Sequence, residues 1–523
     1  MENGKKTILF HSNFSKKYTG FGRNAKAVLK YLYSTGKYNI VEYASGMKAH
    51  DSCLKNMPWA TEGTLPDDKR ELELLNRDPN KARMINYGSG RINEMVQKYK
   101  PDVYIGAEDI WAFTGYWELP WWNKVNCIIH TTLDSLPLLP LSLQAAPHVK
   151  NYYVWASFAE KEMHRQGFNH VKTLHGALEC EKFYPKSHLE KKELRKQNGI
   201  PENAFVMGFV FRNQLRKSVP NLLDGFKIFL DNNPNSNAYL ILHTFYGEGW
   251  DIERLVIEKW GSPKKEGESN EDYGKRLSVE LKPILSRILT TYYCKQCKKY
   301  RVMPFQGKES DGKPRELDCP YCGSKKSLVN INPDNGVSEE QLNEIYNLMD
   351  VYLHPFSSGG MEIPVFESKL SCNITLVTDY SCGYEGCCPE SYGLPLDWSE
   401  YREPGTQFIK SSTNPYSIAK QLKKVFDMPI KKREEWGAKA REYTIKNYDI
   451  SNVGKQWEQI IDSLPEINYD FNFGQPEKNP NYPFQKDIEN DADFIKDLYK
   501  NILKVEVDES NEGFKNWMKV LSQ

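Results

Sequence analysis

The chain has 523 residues, with 70 lysines and arginines against 69 aspartates and glutamates. That length exceeds what one hydrophobic core supports, so two large domains with smaller additions are expected. A net charge of +1 excludes a general basic coat for nucleic acid and leaves only local patches.

Residues 7–11, Thr-Ile-Leu-Phe-His, form a short apolar run after two lysines, as a buried parallel strand does. A loop ending in Thr19-Gly20-Phe21-Gly22 leads into residues 23–32, whose apolar positions recur at helical spacing. Strand, glycine loop and helix open a nucleotide-binding α/β domain. The third glycine of a dinucleotide fingerprint is missing and no acidic residue closes a second strand at the expected distance, which disfavours a nicotinamide site. Further strands are predicted at 38–43, 102–106, 125–130 and 152–156, and their alternation with helices implies a mostly parallel sheet covered on both faces. His130 ends one of them, at the edge where ligands collect, although a strand-end histidine also serves as an ordinary hydrogen-bonded core residue. Trp111, Tyr116, Trp117, Trp121 and Trp122 form a dense aromatic group, suited to filling a core and also able to stack on sugar rings.

A turn-rich segment, Leu174 to Pro185, and a charged helix at 188–197 separate this half from a second α/β unit, which begins with a strand at 204–211 and a helix at 220–231. Arg212 and Lys217 lie in the loop leaving that strand, placed to neutralise a diphosphate or to form a solvated basic loop. The pattern then breaks. Cys294-x2-Cys297 and Cys319-x2-Cys322, with 21 residues between the pairs, suit four thiolates around Zn²⁺, and Gly323 supplies the turn behind the second knuckle. Four cysteines leave no open coordination position, so such an ion is structural. Lys295, Lys298, Lys299, Arg301, Lys325 and Lys326 gather on this zinc ribbon and keep nucleic-acid contact open. Ser338 and Gln341 predict a capping box for the next helix. Cys382, Cys387 and Cys388 lack a fourth ligand and read as free thiols.

The stretch from Asp350 to Ser368 turns a short strand, Val351 to Leu353, through Ser357-Ser358-Gly359-Gly360 into an apolar run carrying Glu367. Adjacent glycines before a helix let backbone N–H groups approach a ligand, and the helix start favours phosphate oxygens. No apolar run approaches the roughly 18 residues of a spanning helix, and the first ten residues hold no signal-peptide core. The reading is a cytoplasmic protein, with peripheral membrane contact left open.

Together these features resemble the retaining GT-B glycosyltransferases of family 4 over roughly residues 5–465. The resemblance implies an N-terminal Rossmann-like domain, 1–190, on the acceptor side, and a C-terminal nucleotide-sugar domain, 191–465, with the ribbon inserted at 290–328. Residues 466–523 read as a linker, from Phe473 to Pro483, and a small helical module. It implies a UDP- or GDP-linked sugar as donor. Gly20 and Gly22 correspond to the glycine loop, His130 to the histidine facing donor sugar and acceptor, and Arg212 with Lys217 to the pair holding the diphosphate. Backbone N–H groups near Gly359 and Gly360 add to that hold, and Glu367 corresponds to the glutamate that grips the ribose. One departure stands out: the family's first glutamate is Gly359 here, and Glu362, three residues on, is the carboxylate available to replace it.

The acceptor is open among a saccharide, a lipid, a protein and a hydroxylated DNA base gripped through the ribbon. Two other readings stand beside a working transferase. One is a nucleotide-sugar-binding protein without turnover, following the loss at Gly359. The other is a zinc-ribbon nucleic-acid factor without sugar chemistry.

Overall fold

Seven parallel strands form the first sheet of the computed structural model, which describes residues 4–17, 19–471 and 491–521. They are β1 (Thr7–Asn13), β2 (Asn39–Lys48), β3 (Ala60–Leu65), β4 (Val103–Ala107), β5 (Asn126–Thr131), β6 (Asn151–Val154) and β7 (Lys172–Thr173). Their order is β3-β2-β1-β4-β5-β6-β7, with Ile8 of β1 registered against Ile40 and Val103. Ile8, Leu9 and Phe10 are fully buried, which is why β1 reads as a continuous apolar run rather than an alternating one.

The second sheet contains β8 (Phe205–Val210), β9 (Ala238–His243), β10 (Ile288–Cys294), β11 (Tyr300–Pro304), β12 (Leu328–Asn330), β13 (Val351–His354), β14 (Ile374–Thr378) and β15 (Leu394–Leu396). Its order is β11-β10-β9-β8-β13-β14-β15, with β12 also on β10. The chain order reverses between β1 and β4 in the first sheet and between β8 and β13 in the second. The C-terminal ends of strands flanking such a switch point are where doubly wound sheets bind ligands. A hairpin of β16 (Trp398–Arg402) and β17 (Ile409–Thr413) lies beside the second sheet. The architecture is thus two Rossmann-like α/β domains.

The cysteine ribbon grows out of the second sheet. Its first strand, β10, pairs parallel with β9 at Ile288 to Thr290, then antiparallel with β11 and β12, so one strand serves both sheet and ribbon. Ser338 caps the helix Glu339–Asn347 through the amide of Gln341, completing the capping box. Near the end of the second domain's sequence range, Asp449 ends the helix Ile430–Tyr448 and caps Ile450–Ser463. That last helix lies within the sequence boundary of the second domain but packs on the first. Val453, Trp457 and Ile461 join the core under β1, and Tyr31 donates to Glu458 at 2.6 Å. The predicted linker falls outside the described residues. Beyond it, helices Asp491–Leu498 and Glu512–Leu521 pack on one another with Ile495 and Phe514 buried.

Candidate functional site

The loops leaving β8 and β13 meet at the switch point of the second sheet, and Glu362 is their centre. This carboxylate is 7 % exposed and takes Arg216 Nη1 at 2.5 Å, the Lys217 ammonium, and His354 Nε2 at 3.0 Å. Each partner has a structural reason to be there. Arg216 and Lys217 occupy a single 3-10 turn, Leu215–Lys217, held by the Lys217 N–H to Gln214 O, and His354 is the last residue of β13. Burial alone would raise the Glu362 carboxyl, but Arg216, Lys217 and His354 hold it well below the usual carboxylate range. Burial pulls the Lys217 ammonium down to about 8 even with Glu362 beside it, and pushes His354 down to about 4. The site therefore holds two cations and a carboxylate at neutral pH, with a neutral imidazole beneath them.

Gly359 explains why the carboxylate comes from position 362. A Cβ on Gly359 would stand 2.5 Å from Glu362 Oε1, so Glu362 fills the space into which a side chain at 359 would grow. The Gly359 N–H donates to Ser381 Oγ at 3.2 Å, and Arg216 Nη1 also donates to Ser358 O at 3.2 Å.

The N-terminal domain closes on this loop from the far side. The segment after β5 brings Asp134 against Gly360, where an added Cβ would meet Asp134 Oδ1 at 2.7 Å. Only glycine permits that approach. Lys410 of β17 spans the junction, donating to Ser135 Oγ and Ser358 Oγ at 2.8 Å each. Asp134 reaches solvent within the cleft, and partial desolvation by the facing domain, ahead of the charge of nearby Asp109, raises its carboxyl above the usual range. A Cβ on Gly20 would stand 3.7 Å from Ile363 Cδ1 across the same cleft, and Gly22 is confined by Lys17 O, which a Cβ would meet at 2.5 Å.

Two expected placements need correction, and a third predicted residue, Glu367, is engaged by the other domain. Arg212 does not join Lys217 at the loop centre: its side chain is 67 % exposed and pairs with Glu248 at 3.1 Å, while Arg216, 41 % exposed, takes the place beside Glu362. The 3-10 turn rotates residue 216, not 212, inward. His130 is buried in the core, not open to the cleft. Its Nε2 bonds to Leu174 O at 2.8 Å and its ring packs against Trp155 and Trp457, and burial lowers its pKa to about 3. Glu367, 1 % exposed, is engaged by Arg23 of the N-terminal helix Gly20–Ser34 and by the Tyr346 hydroxyl at 2.9 Å. The cavity beside it, lined by Arg23, Lys26, Phe183 and Glu339, measures about 20 Å³, far less than a nucleoside needs. Replacing Glu367 by glutamine should cost about 3 kcal/mol of stability, read as a fall in thermal midpoint, because it strands a largely buried guanidinium.

The sequence reading passed over Arg216, His354, Asp134, Lys410 and Arg23. Arg216 and His354 carried a signal, one adjoining Lys217 and the other directly following the predicted strand Val351 to Leu353. Asp134, Lys410 and Arg23 reach the site only through the domain junction, which no local pattern announces.

Cys294, Cys297, Cys319 and Cys322 place their sulfurs within 4.8 Å of one another, with 3.8 Å between Cys294 and Cys322 and 3.7 Å between Cys297 and Cys319. Four sulfurs about 2.3 Å from a central ion at tetrahedral angles lie about 3.8 Å apart, so the cluster fits such an ion. Backbone N–H groups of Cys297 and Tyr321 point at Cys294 and Cys319 Sγ, at 3.4 Å each, as knuckle turns require. The ribbon's lysines are partly answered by its own acids: Lys295 pairs with Glu316 at 3.1 Å and Lys325 with Asp318 at 2.6 Å. Cys382, Cys387 and Cys388 are buried free thiols. Trp121 and Trp122 are buried, donating to Asn93 Oδ1 and His148 O, whereas Trp111 is partly exposed. No described helix is long and apolar enough to cross a membrane.

No family model matches the chain, and no curated protein matches it in sequence. Solved structures do match in fold. A glycosyltransferase from Rickettsia africae superposes with a TM-score of 0.56 at 13 % identity, covering 88 % of this chain and 99 % of its own. Anabaena HepE in complex with UDP and glucose gives 0.53 at 13 % identity over 88 % and 100 %. The sucrose-phosphate synthase of Thermosynechococcus elongatus gives 0.54 at 12 % identity over 88 % and 99 %. The two facing Rossmann-like domains are the GT-B fold.

Proposed function

We propose that the chain transfers a glycosyl group from a nucleotide-diphosphate sugar, UDP- or GDP-linked, to an acceptor hydroxyl with retention of configuration. The observation that carries this reading is the Glu362 cluster at the switch point of the C-terminal sheet. Departure of a nucleoside diphosphate builds negative charge, which Arg216, Lys217 and Lys410 are placed to receive in a cleft that closes against water. Glu362 orients the cations and supplies the carboxylate that Gly359 lacks, next to the donor sugar. In retention the departing phosphate takes the acceptor's proton, so the residues' task is to hold charge and position hydroxyls. A ribose would displace Arg23 from Glu367 as the domains part to admit the nucleotide.

The test is nucleoside diphosphate release from a panel of nucleotide sugars, beginning with UDP-glucose, for the parent chain and Glu362→Gln. Turnover of one donor that the substitution abolishes is the expected result. Tight binding of a donor without turnover on any acceptor would replace this reading with a binding protein. The kcat/KM for donor should fall as pH rises through about 8, because only protonated Lys217 neutralises phosphate and its ammonium is fully present below that value. Lys217→Arg should move that fall to higher pH.

The four cysteines would hold Zn²⁺ in a closed site that fixes the ribbon and takes no part in the chemistry. Metal analysis should give one zinc per chain. Its removal, or Cys319→Ser, should lower the thermal midpoint by roughly 5 °C or more, since the short strands β11 and β12 bury too little to order themselves.

A further inference from the structure

A cavity of about 550 Å³ lies at the other end of the strands that carry the Glu362 cluster. It opens at the N-terminal ends of β8, β13 and β14, where Phe205, Asp350 and Ile374 line it. The rest of its wall comes from the end of the segment joining the two domains, the helix His188–Gln197 and the start of the helix Ile430–Tyr448. β13 runs from Val351 beside this cavity to His354 beside Glu362, so the sheet separates the two places.

Five lysines and arginines line the cavity against three carboxylates, and all three carboxylates are already met. Lys192 takes Glu202 at 2.5 Å, and Arg195 takes Asp350 at 2.9 Å, with the Val206 N–H donating to the same carboxylate at 2.8 Å. Glu434 lies 3.0 Å from His188 Nε2, and Lys186 reaches Glu190, outside the lining, at 3.7 Å. Lys191 and Arg433 remain. Neither forms an ion pair among the described residues, and Arg433 uses only its Nε, donating to Met428 O at 3.0 Å. Burial lowers the Lys191 pKa from its ordinary value, ahead of the opposing charge of Asp350, so an anion placed there would recover what desolvation costs. The helix Ile430–Tyr448 starts at the same wall with no side-chain cap and no acid in its first turn, which adds open amides to the cations. The floor is apolar: Phe205 and Phe426 meet edge-on with centroids 5.2 Å apart, next to Met349 and Ile374.

We propose that this cavity binds a small organic phosphomonoester, with its phosphate on Lys191 and Arg433 and its ring over the Phe426 floor. Two unpaired cations match the nearly two negative charges of such a phosphate at neutral pH. The volume suits one hexose phosphate or nucleoside monophosphate. The site shares no residue with the Glu362 cluster and stands independently of the glycosyl-transfer reading.

Calorimetry on the full chain tests the proposal with inorganic phosphate, mannose 6-phosphate, AMP and uncharged mannose. Mannose 6-phosphate, AMP or both should bind at least 10-fold more tightly than inorganic phosphate, and mannose should not bind. The tighter of the two shows whether a sugar or a base occupies the floor. Lys191→Met should weaken that binding 10-fold or more at an unchanged thermal midpoint, and Lys191→Arg should restore most of it. Arg433→Gln carries the same expectation and serves alone should Lys191→Met fail to fold. No binding of either phosphomonoester at millimolar concentration, or inorganic phosphate binding equally well, would overturn the proposal. Binding that survives both substitutions would overturn it too, because the phosphate would then sit elsewhere. Failure to bind any nucleotide sugar would remove the glycosyl-transfer reading and leave this site in place.

Discussion

Lys217→Met should lower kcat/KM for the nucleotide sugar by 100-fold or more while the protein remains folded. A preorganised cation that meets developing phosphate charge in a closed cleft contributes on the order of 3 kcal/mol to the transition state, equivalent to about two orders of magnitude in rate. Lys217 is buried, with its ammonium on the Glu362 carboxylate and 5.9 Å from the Phe356 ring centroid, so its charge serves the cluster rather than solvent. Removing it leaves Glu362 with Arg216 and His354, two partners that keep a buried carboxylate from being stranded. Methionine preserves the volume, which separates lost charge from lost packing. The same measurement distinguishes the two arginines. Arg216→Ala should approach the effect of Lys217→Met, whereas Arg212→Ala, at an exposed pair with Glu248, should stay within about 3-fold. Equal losses at 212 and 216 would mean that the loop turns over on binding donor and that Arg212 is the phosphate ligand.

That comparison also marks how far the amino-acid pattern reaches. The buried strands were legible because parallel strands covered on both faces must be apolar throughout: residues 7–11 and Val351 to Leu353 appear in the structure where that rule places them. Ser338 with Gln341, and the two cysteine pairs, were legible because capping and tetrahedral ligation each need fixed residue types at fixed spacing. The Arg212 and Lys217 pairing by spacing failed because a 3-10 turn, set by the backbone bond from Lys217 to Gln214, decides which cation faces inward. His130 failed for another reason. Its strand end is roofed by Trp457, more than 300 residues along the chain, on a helix that crosses back from the second domain. Glu367 shows the same limit. Its partner Arg23 lies in the other domain, and only the closed arrangement brings them together.

A double exchange tests the reading of Gly359 and Glu362 most sharply. Gly359→Glu alone should abolish turnover and lower the thermal midpoint, since its Cβ would arrive 2.5 Å from Glu362 Oε1 and two carboxylates would compete for one pair of cations. Glu362→Gly alone should also reduce kcat by 100-fold or more, because Arg216 and Lys217 lose the anion that fixes their positions and repel one another. Combined, the two changes remove the clash and return one carboxylate to the same cation pair from a site three residues earlier. Turnover in the double variant should therefore exceed that of either single variant by at least 10-fold, a coupling that independent sites cannot show. If the double variant is no better than Gly359→Glu, the carboxylate at 362 has a task that position 359 cannot perform. His354 then becomes the group to examine, since its Nε2 meets Glu362 at 3.0 Å from the end of β13 and would be left without that contact when the carboxylate moves.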